Sequence, residues 1–493
     1  MTAARFSNGC AMLLRQTLLY LPAQLCGPLI QFIAAIVWTH QLDATSYGIV
    51  TYMTAAQELI ALMMIGGWSA YFLRYRDDLA DHFGPELRRR DLSVVGTASL
   101  LQIVASIPIL MSINVPLDPS LVAVTALFLG TRTALGHYAE VCRAEAAIAT
   151  YTIGQMASPV VGCTLSFWAI AHFGSDPRTV LASLTVAQVG GLIIVLRRLG
   201  VHGDPIAPDR QLIRSALSYA GPLIAAGGAL WIGNNGIRLI VDHFAGGVEL
   251  GLLSVGWGLG QRIASVVAML VTAAAFPLAL RRLKEGDRAD AFTQVAANNL
   301  LIFGLLAPMA MGALFVSTPL VMLVIAEPFR QATIIILPIA IITGAIRNFA
   351  VHGACQAFLL VSRPDITMKV NLVDAAMAIA ACAIGLAIGG TAGAAIGCMI
   401  ESAIWLTLCF GAAIRQGLPL PIGGLFRIAA ATLIMGAVLK SVALPGGIIG
   451  IGVMIGLGGL VYALAITAFF APLREKARAF VIRRAGHKAP TSP

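Results

Sequence analysis

The sequence predicts an all-α integral membrane protein of about 14 transmembrane helices. Two six-helix lobes are expected, related by a pseudo-two-fold axis along the membrane normal, with two additional C-terminal helices. Three observations carry this: the composition, the series of apolar runs, and a short internal repeat. Of 493 residues, 58% are apolar and 11% charged, and the mean hydropathy is +0.86. Soluble domains are about 45–50% apolar and about 25% charged. So few charges cannot hydrate the surface of a chain this apolar, and its main solvent is lipid. That excludes a cytosolic enzyme, a secreted disulfide scaffold, a nucleic-acid binder and a disordered chain.

A membrane helix needs about 20 mainly apolar residues. Charged and Pro/Gly-rich punctuation sets the boundaries. The first two spans, 12–38 and 47–73, are parted by a turn at Leu42–Tyr47. Span 92–113 follows the Arg88-Arg89-Arg90 run, 120–142 follows Asp118-Pro119, and 152–173 follows Arg143 and Glu145. Span 179–196 opens at Asp176-Pro177 and completes an N-terminal lobe, 1–196. A polar linker, 197–215, leads to a C-terminal lobe, 216–414, with spans at 216–243, 249–280, 295–316, 332–359, 369–388 and 392–414. Two more spans, 425–444 and 447–471, and a basic tail, 472–493, end the chain. Glycine is abundant, at 50 residues, as expected where membrane helices approach closely. Period-2 strand patterns are missing, which argues against an outer-membrane barrel.

Lys and Arg in the loops give the orientation. With a cytoplasmic N-terminus, loops 74–91, 197–214 and 281–294 and the C-terminal tail are cytoplasmic and hold nearly all the basic residues. The opposite loops hold Arg178, Arg330 and Lys440. Both termini are therefore expected in the cytoplasm. The net charge of +10 follows from this bias and from contact with anionic headgroups, without invoking nucleic acid. No cleaved signal peptide is evident, and the first span reads as an uncleaved anchor. The 8 cysteines lie mostly inside spans without metal-ligand spacing, and no cofactor or metal site is expected. No expected loop has room for a catalytic or nucleotide-binding domain, and no P-loop, zinc-protease or nucleophile-elbow pattern occurs. A secondary transporter or flippase is the simplest class, and an enzyme is not expected.

Gly27-Pro28-Leu29-Ile30 in the first span recurs as Gly221-Pro222-Leu223-Ile224 in the seventh. Tyr47-Gly48 opens the second span as Leu250-Gly251 opens the eighth. In the fourth span His137 follows Arg132 by five residues, and in the tenth His352 follows Arg347 likewise. The repeating unit is thus six spans. An even number keeps both copies in one orientation, which places a central cavity between two lobes.

Leu42-Asp43-Ala44-Thr45-Ser46-Tyr47-Gly48, after a first span ending Ala34-Ala35-Ile36-Val37-Trp38, resembles the L-G-x-x-x-Y-G signature of polysaccharide transporters. These are O-antigen flippases and their relatives in the multidrug/oligosaccharidyl-lipid/polysaccharide exporter superfamily. Ala326-Glu327-Pro328-Phe329-Arg330-Gln331-Ala332 resembles the G-x-x-[FY]-x-x-A stretch before the tenth span, and Gly389-Gly390-Thr391-Ala392-Gly393-Ala394-Ala395 the G-x-x-G-A-A start of the twelfth. One departure is Asp43, where the family usually has Gly. The resemblance implies movement of undecaprenyl-pyrophosphate-linked oligosaccharide from the cytoplasmic to the periplasmic leaflet of the bacterial inner membrane, for exopolysaccharide, capsule or O-antigen. It also implies alternating access, with a polysaccharide polymerase and chain-length machinery as partners and H+ or Na+ as the coupling ion. A cation-coupled multidrug antiporter of the same superfamily and a lipid II flippase are the alternatives.

A charge at the centre of a membrane helix costs roughly 2.5–3.5 kcal/mol on insertion scales and usually faces a cavity or a partner. Arg132, Arg347 and Arg262 are the candidates for a cationic lumen, because a guanidinium fork holds phosphate oxygens and keeps its charge. The competing reading is interhelical ion pairing, for instance with Glu58 or Glu401. Asn234 and Asn235 are placed to contact sugar hydroxyls or to bond across helices. Glu58, His137 and His352 are the candidates for ion or proton coupling, against simple pairing or burial. Arg238 and Asp242, four apart, read as a local salt bridge or a periplasmic gate. Trp38, Trp68 and Tyr71 read as interfacial belt residues.

Overall fold

The computed structural model describes residues 26–113, 118–442, 447–471 and 474–475, which form helices joined by short turns. Helix α1 covers 26–41. There follow α2 (Ala44–Arg74), a short α3 (Arg76–Phe83), α4 (Glu86–Ser112), α5 (Pro119–Ala144), α6 (Ile148–Phe173) and α7 (Pro177–Leu199). Beyond the linker lie α8 (Arg210–Ala245), α9 (Gly247–Lys284), α10 (Arg288–Val324) and α11 (Glu327–Leu360). The chain continues as α12 (Pro364–Arg415), α13 (Ile422–Ser441) and α14 (Gly447–Phe469). Among the described residues, 12 helices are long and apolar enough to cross a membrane. The chain is a multi-pass membrane protein.

The expected spans 369–388 and 392–414 are the two helical limbs that α12 comprises, joined at a kink. Its helix breaks at Gly389 (φ −137°, ψ 24°) and Gly390 (φ 60°, ψ −151°). The Gly390 φ is one that L side chains rarely adopt, so a glycine there permits the fold-back. The limbs then pack so tightly that a Cβ on Gly385 would lie 2.2 Å from the Gly393 carbonyl oxygen. The expected span 12–38 lies partly outside the described residues, as does most of the basic tail 472–493. The other expected spans fall within observed helices, except that 92–113, 425–444 and 447–471 overrun the described helix by one to three residues.

Aspartates start many of these helices. Asp43, Asp118, Asp176, Asp209 and Asp287 each accept a backbone N–H of the first turn, from Ser46, Leu121, Arg178, Leu212 and Asp290. Such a cap satisfies an otherwise orphan donor and is worth about 1 kcal/mol. Asp43 therefore caps α2 at the position where the resembling family carries Gly. In the loops beside α5 and α7, Asp118 and Asp176 both bond Arg178. The Ser120 hydroxyl, then the Leu121 N–H and Arg178, hold Asp118 below the ordinary carboxylate range.

Helices α2 and α4–α7 pack together, as do α8–α12, while α13 and α14 pack on each other and against α10. The two groups meet at both ends of α2. At one end Gly48 faces Gly247 and Gly251 of α9, and a Cβ on Gly251 would stand 1.8 Å from the Ala44 carbonyl oxygen. Gly48 and Gly251 each follow the first residue of their helix by four, so the crossing joins equivalent positions of α2 and α9. At the other end of α2, Gly67 packs on Ala220 of α8, and the Tyr219 ring lies 6.0 Å from Tyr71 and 5.6 Å from Tyr75. Overpacking a tight contact costs about 1–3 kcal/mol. Gly251→Ala is expected to lower the heat-aggregation midpoint of the purified protein; an unchanged midpoint contradicts so close a crossing.

Candidate functional site

Between these two contacts lies a cavity of about 400 Å³. Gln31 and Trp38 of α1, Thr51 and Glu58 of α2, Arg132 of α5 and Ser158 of α6 line one side. Asn234, Asn235 and Arg238 of α8, Trp257, Gln261 and Arg262 of α9, and Arg347 and Asn348 of α11 line the other. A second space of about 410 Å³ shares Gln31, Glu58, Arg132, Ser158 and Pro159 with it and extends among Gln57, Gln155 and Gln188.

The four arginines on this surface have different surroundings. Arg132 Nη2 lies 3.8 Å from Glu58 Oε1, and that carboxylate stays about half exposed (52%). Arg262 Nη1 donates to the Gln31 carbonyl oxygen at 3.0 Å, and Arg238 Nη1 donates to Asn235 Oδ1. Neither Arg238 nor Arg262 has a carboxylate within 4.0 Å among the described residues. Among the described residues, Arg238, Arg132 and Arg262 thus present three guanidiniums to the cavity against the single carboxylate of Glu58.

Arg347 lines the cavity but is 3% exposed and fully engaged. It grips Asp374 of α12 through both nitrogens, Nη2 to Oδ2 at 2.7 Å and Nη1 to Oδ1 at 3.0 Å. Nη1 also reaches Glu401 Oε2 at 3.3 Å, and Nε donates to Asn234 Oδ1 at 2.6 Å. The guanidinium lies over the Trp405 ring at 4.5 Å. Gly233 makes room: a Cβ there would sit 2.0 Å from Asp374 Oδ2 and 2.4 Å from Arg347 Nη2.

The two asparagines thus each orient an arginine with their oxygen while lining the cavity. The spacing that suggested an Arg238–Asp242 pair gives no ion pair. Arg238 turns to Asn235, whereas Asp242 is buried at 5% exposure and is not among the residues that line the cavity. Spacing of i,i+4 permits a contact, but the amide of Asn235, three residues before Arg238, takes this guanidinium.

His137 is sealed between helices. Its Nε2 lies 3.0 and 3.2 Å from the Asp91 carboxylate oxygens, and its Nδ1 lies 2.7 Å from Ser69 Oγ. Trp68 Nε1 donates to the same Asp91 at 2.7 Å. Trp68 is therefore a buried donor, not a belt residue, and Tyr71 packs in the tyrosine cluster against α8. His352 Nδ1 bonds Thr272 Oγ1 at 3.0 Å. Ser69 and Thr272 each stand 25 positions after the first residue of their helix, and each meets a histidine Nδ1. Arg238, Gln31 and Asp91 are the site residues that the sequence reading missed or placed in other roles. Asp91 directly follows the Arg88–Arg90 run and looks like loop punctuation. Among the described residues no group of three or more His, Cys, Asp or Glu could hold a metal ion.

Helices of membrane length thus surround a cavity lined by several arginines, in a multi-pass membrane protein. The chain belongs to the polysaccharide biosynthesis protein family, whose profile matches residues 13–281. Solved structures share the fold. A lipid II flippase MurJ in an inward closed conformation is similar at a TM-score of 0.75 and 13% identity, over 92% of this chain and 99% of that one. An inward-facing multidrug resistance MATE transporter of the MOP superfamily gives 0.58 and 12%, over 79% and 94%. The Vibrio cholerae MATE transporter VcmN in its bent form gives 0.52 and 17%, over 83% and 98%. No curated protein matches the chain in sequence.

Proposed function

We propose that this chain flips undecaprenyl-pyrophosphate-linked oligosaccharide units across the bacterial inner membrane by alternating access, for exopolysaccharide, capsule or O-antigen assembly. The observation that carries the reading is the cavity's charge: three guanidiniums facing one carboxylate. A pyrophosphate headgroup crossing a low-dielectric layer needs fixed cations with several donors, and guanidinium supplies both. Arg132, Arg238 and Arg262 hold the headgroup, and Asn234 and Asn235 keep the arginines aimed. A cationic drug would meet net repulsion here, which weighs against the multidrug antiporter. The matched contacts of Gly48 with Gly251, and of the two histidines, support two lobes of common design around the cavity. The tyrosine cluster and the glycine crossing would be its cytoplasmic and periplasmic closures, with both termini cytoplasmic. A polysaccharide polymerase and chain-length machinery would receive the units.

The test is a strain lacking the gene. Its extracted lipids should accumulate undecaprenyl-pyrophosphate-linked oligosaccharide on the cytoplasmic side while surface and secreted polysaccharide falls. Normal pools with normal polysaccharide would overturn the assignment for that glycan. Accumulated lipid II instead would keep the flippase and change its cargo.

A further inference from the structure

Behind the cavity wall, Arg347, Asp374 and Glu401 form a cluster whose side chains are 3%, 0% and 1% exposed. One guanidinium faces two carboxylates. The charged and titratable groups around Glu401 come from every packed element: Arg347 from α11, Asp374 from the first limb of α12, and Cys398 from its own limb. From α8 the cluster receives the neutral Asn234. With both carboxylates ionised the cluster would hold a net negative charge at membrane depth, where an uncompensated charge is not sustained.

A bound cation removes that charge, and the geometry selects its kind. Arg347 occupies both oxygens of Asp374. Glu401 uses Oε2, at the longer 3.3 Å, on the nitrogen that Asp374 already shares. Its other oxygen, Oε1, is buried without a hydrogen-bond partner. A metal ion wants several converging oxygens free of hydrogen bonds, and among the cluster's carboxylate oxygens only Glu401 Oε1 is. A proton needs one.

We propose that Glu401 is a proton-binding site: it carries the proton while Asp374 holds Arg347, and on losing it competes with Asp374 for the guanidinium. Arg347 Nε is tied to Asn234 on the cavity surface. A shift of Arg347 toward Glu401 therefore moves the cavity wall. Coupling of that shift to transport rests on the flippase reading; the proton site itself does not.

The test uses the full chain in lipid nanodiscs, followed by difference infrared spectroscopy of the protonated-carboxyl C=O stretch across a pH titration, with no cargo present. Wild type should show a band that disappears in Glu401→Gln. It should also disappear in Asp374→Asn, because one carboxylate then balances one guanidinium and Glu401 ionises. Glu401→Asp keeps a carboxyl, should shift the band, and serves if the glutamine variant fails to fold. A wild type without the band, a band that survives in Asp374→Asn, or one that sodium chloride abolishes at fixed pH would overturn the proposal. A protein with the band that moves no lipid keeps the proton site and loses the flippase. One that moves lipid without the band loses only the proton site.

Discussion

Arg347→Ala is expected to deplete the protein from the membrane, not merely to silence it. Removing one partner of a buried ion pair leaves uncompensated charge and costs about 3–5 kcal/mol. Here Asp374 and Glu401 would both lose their cation, and Asn234 and Trp405 would lose their contacts. Abundance and the heat-aggregation midpoint of the purified variant measure this. Adding Asp374→Asn and Glu401→Gln to Arg347→Ala should restore much of the abundance, because the site is then neutral. Arg347→Lys should rescue only in part, since a point charge cannot grip both Asp374 oxygens. A normally abundant Arg347→Ala protein that no longer exports would contradict this and make Arg347 a cargo contact.

Arg238→Ala and Arg262→Ala should behave in the opposite way. Their guanidiniums are held by an amide and a backbone carbonyl, so their loss strands no buried carboxylate. Abundance should stay near wild type. Loss of a desolvated charge contact to the phosphate costs about 2–5 kcal/mol. Export should fall by roughly 30-fold to several thousand-fold, at about 1.4 kcal/mol per decade. Polysaccharide yield normalised to protein in the membrane is the readout. Unchanged export in both single variants and in the double variant would remove the phosphate clamp.

Much of the fold was legible because a membrane helix announces itself by length and composition, and because aspartates and glycines mark its ends. The turn at Gly389-Gly390 was visible as the boundary between two helices; how tightly those helices pack back on each other was not. The candidate site was legible only in part. Arg132, Arg262 and Arg347, which stood out as lone arginines at mid-span, all line the cavity. Hydropathy gives depth but not rotation about the helix axis, so it could not separate Arg238, which faces the cavity, from Asp242, which does not. Nor could it say that Asp374 meets Arg347 from a different helix. Trp68 looked like a belt residue because its partner, Asp91, lay hidden beside a basic run.

The central claim is that the cavity binds a lipid pyrophosphate through its excess of guanidiniums. Trp38 and Trp257 line it and serve as reporters. The most direct measurement is tryptophan fluorescence of the purified chain in nanodiscs, titrated with farnesyl pyrophosphate, with farnesol, and with a cationic amphiphile. The account predicts a saturable change with the pyrophosphate alone, weakened by salt and absent from the Arg238→Ala/Arg262→Ala double variant. Saturable binding of the cation without binding of the pyrophosphate would contradict it.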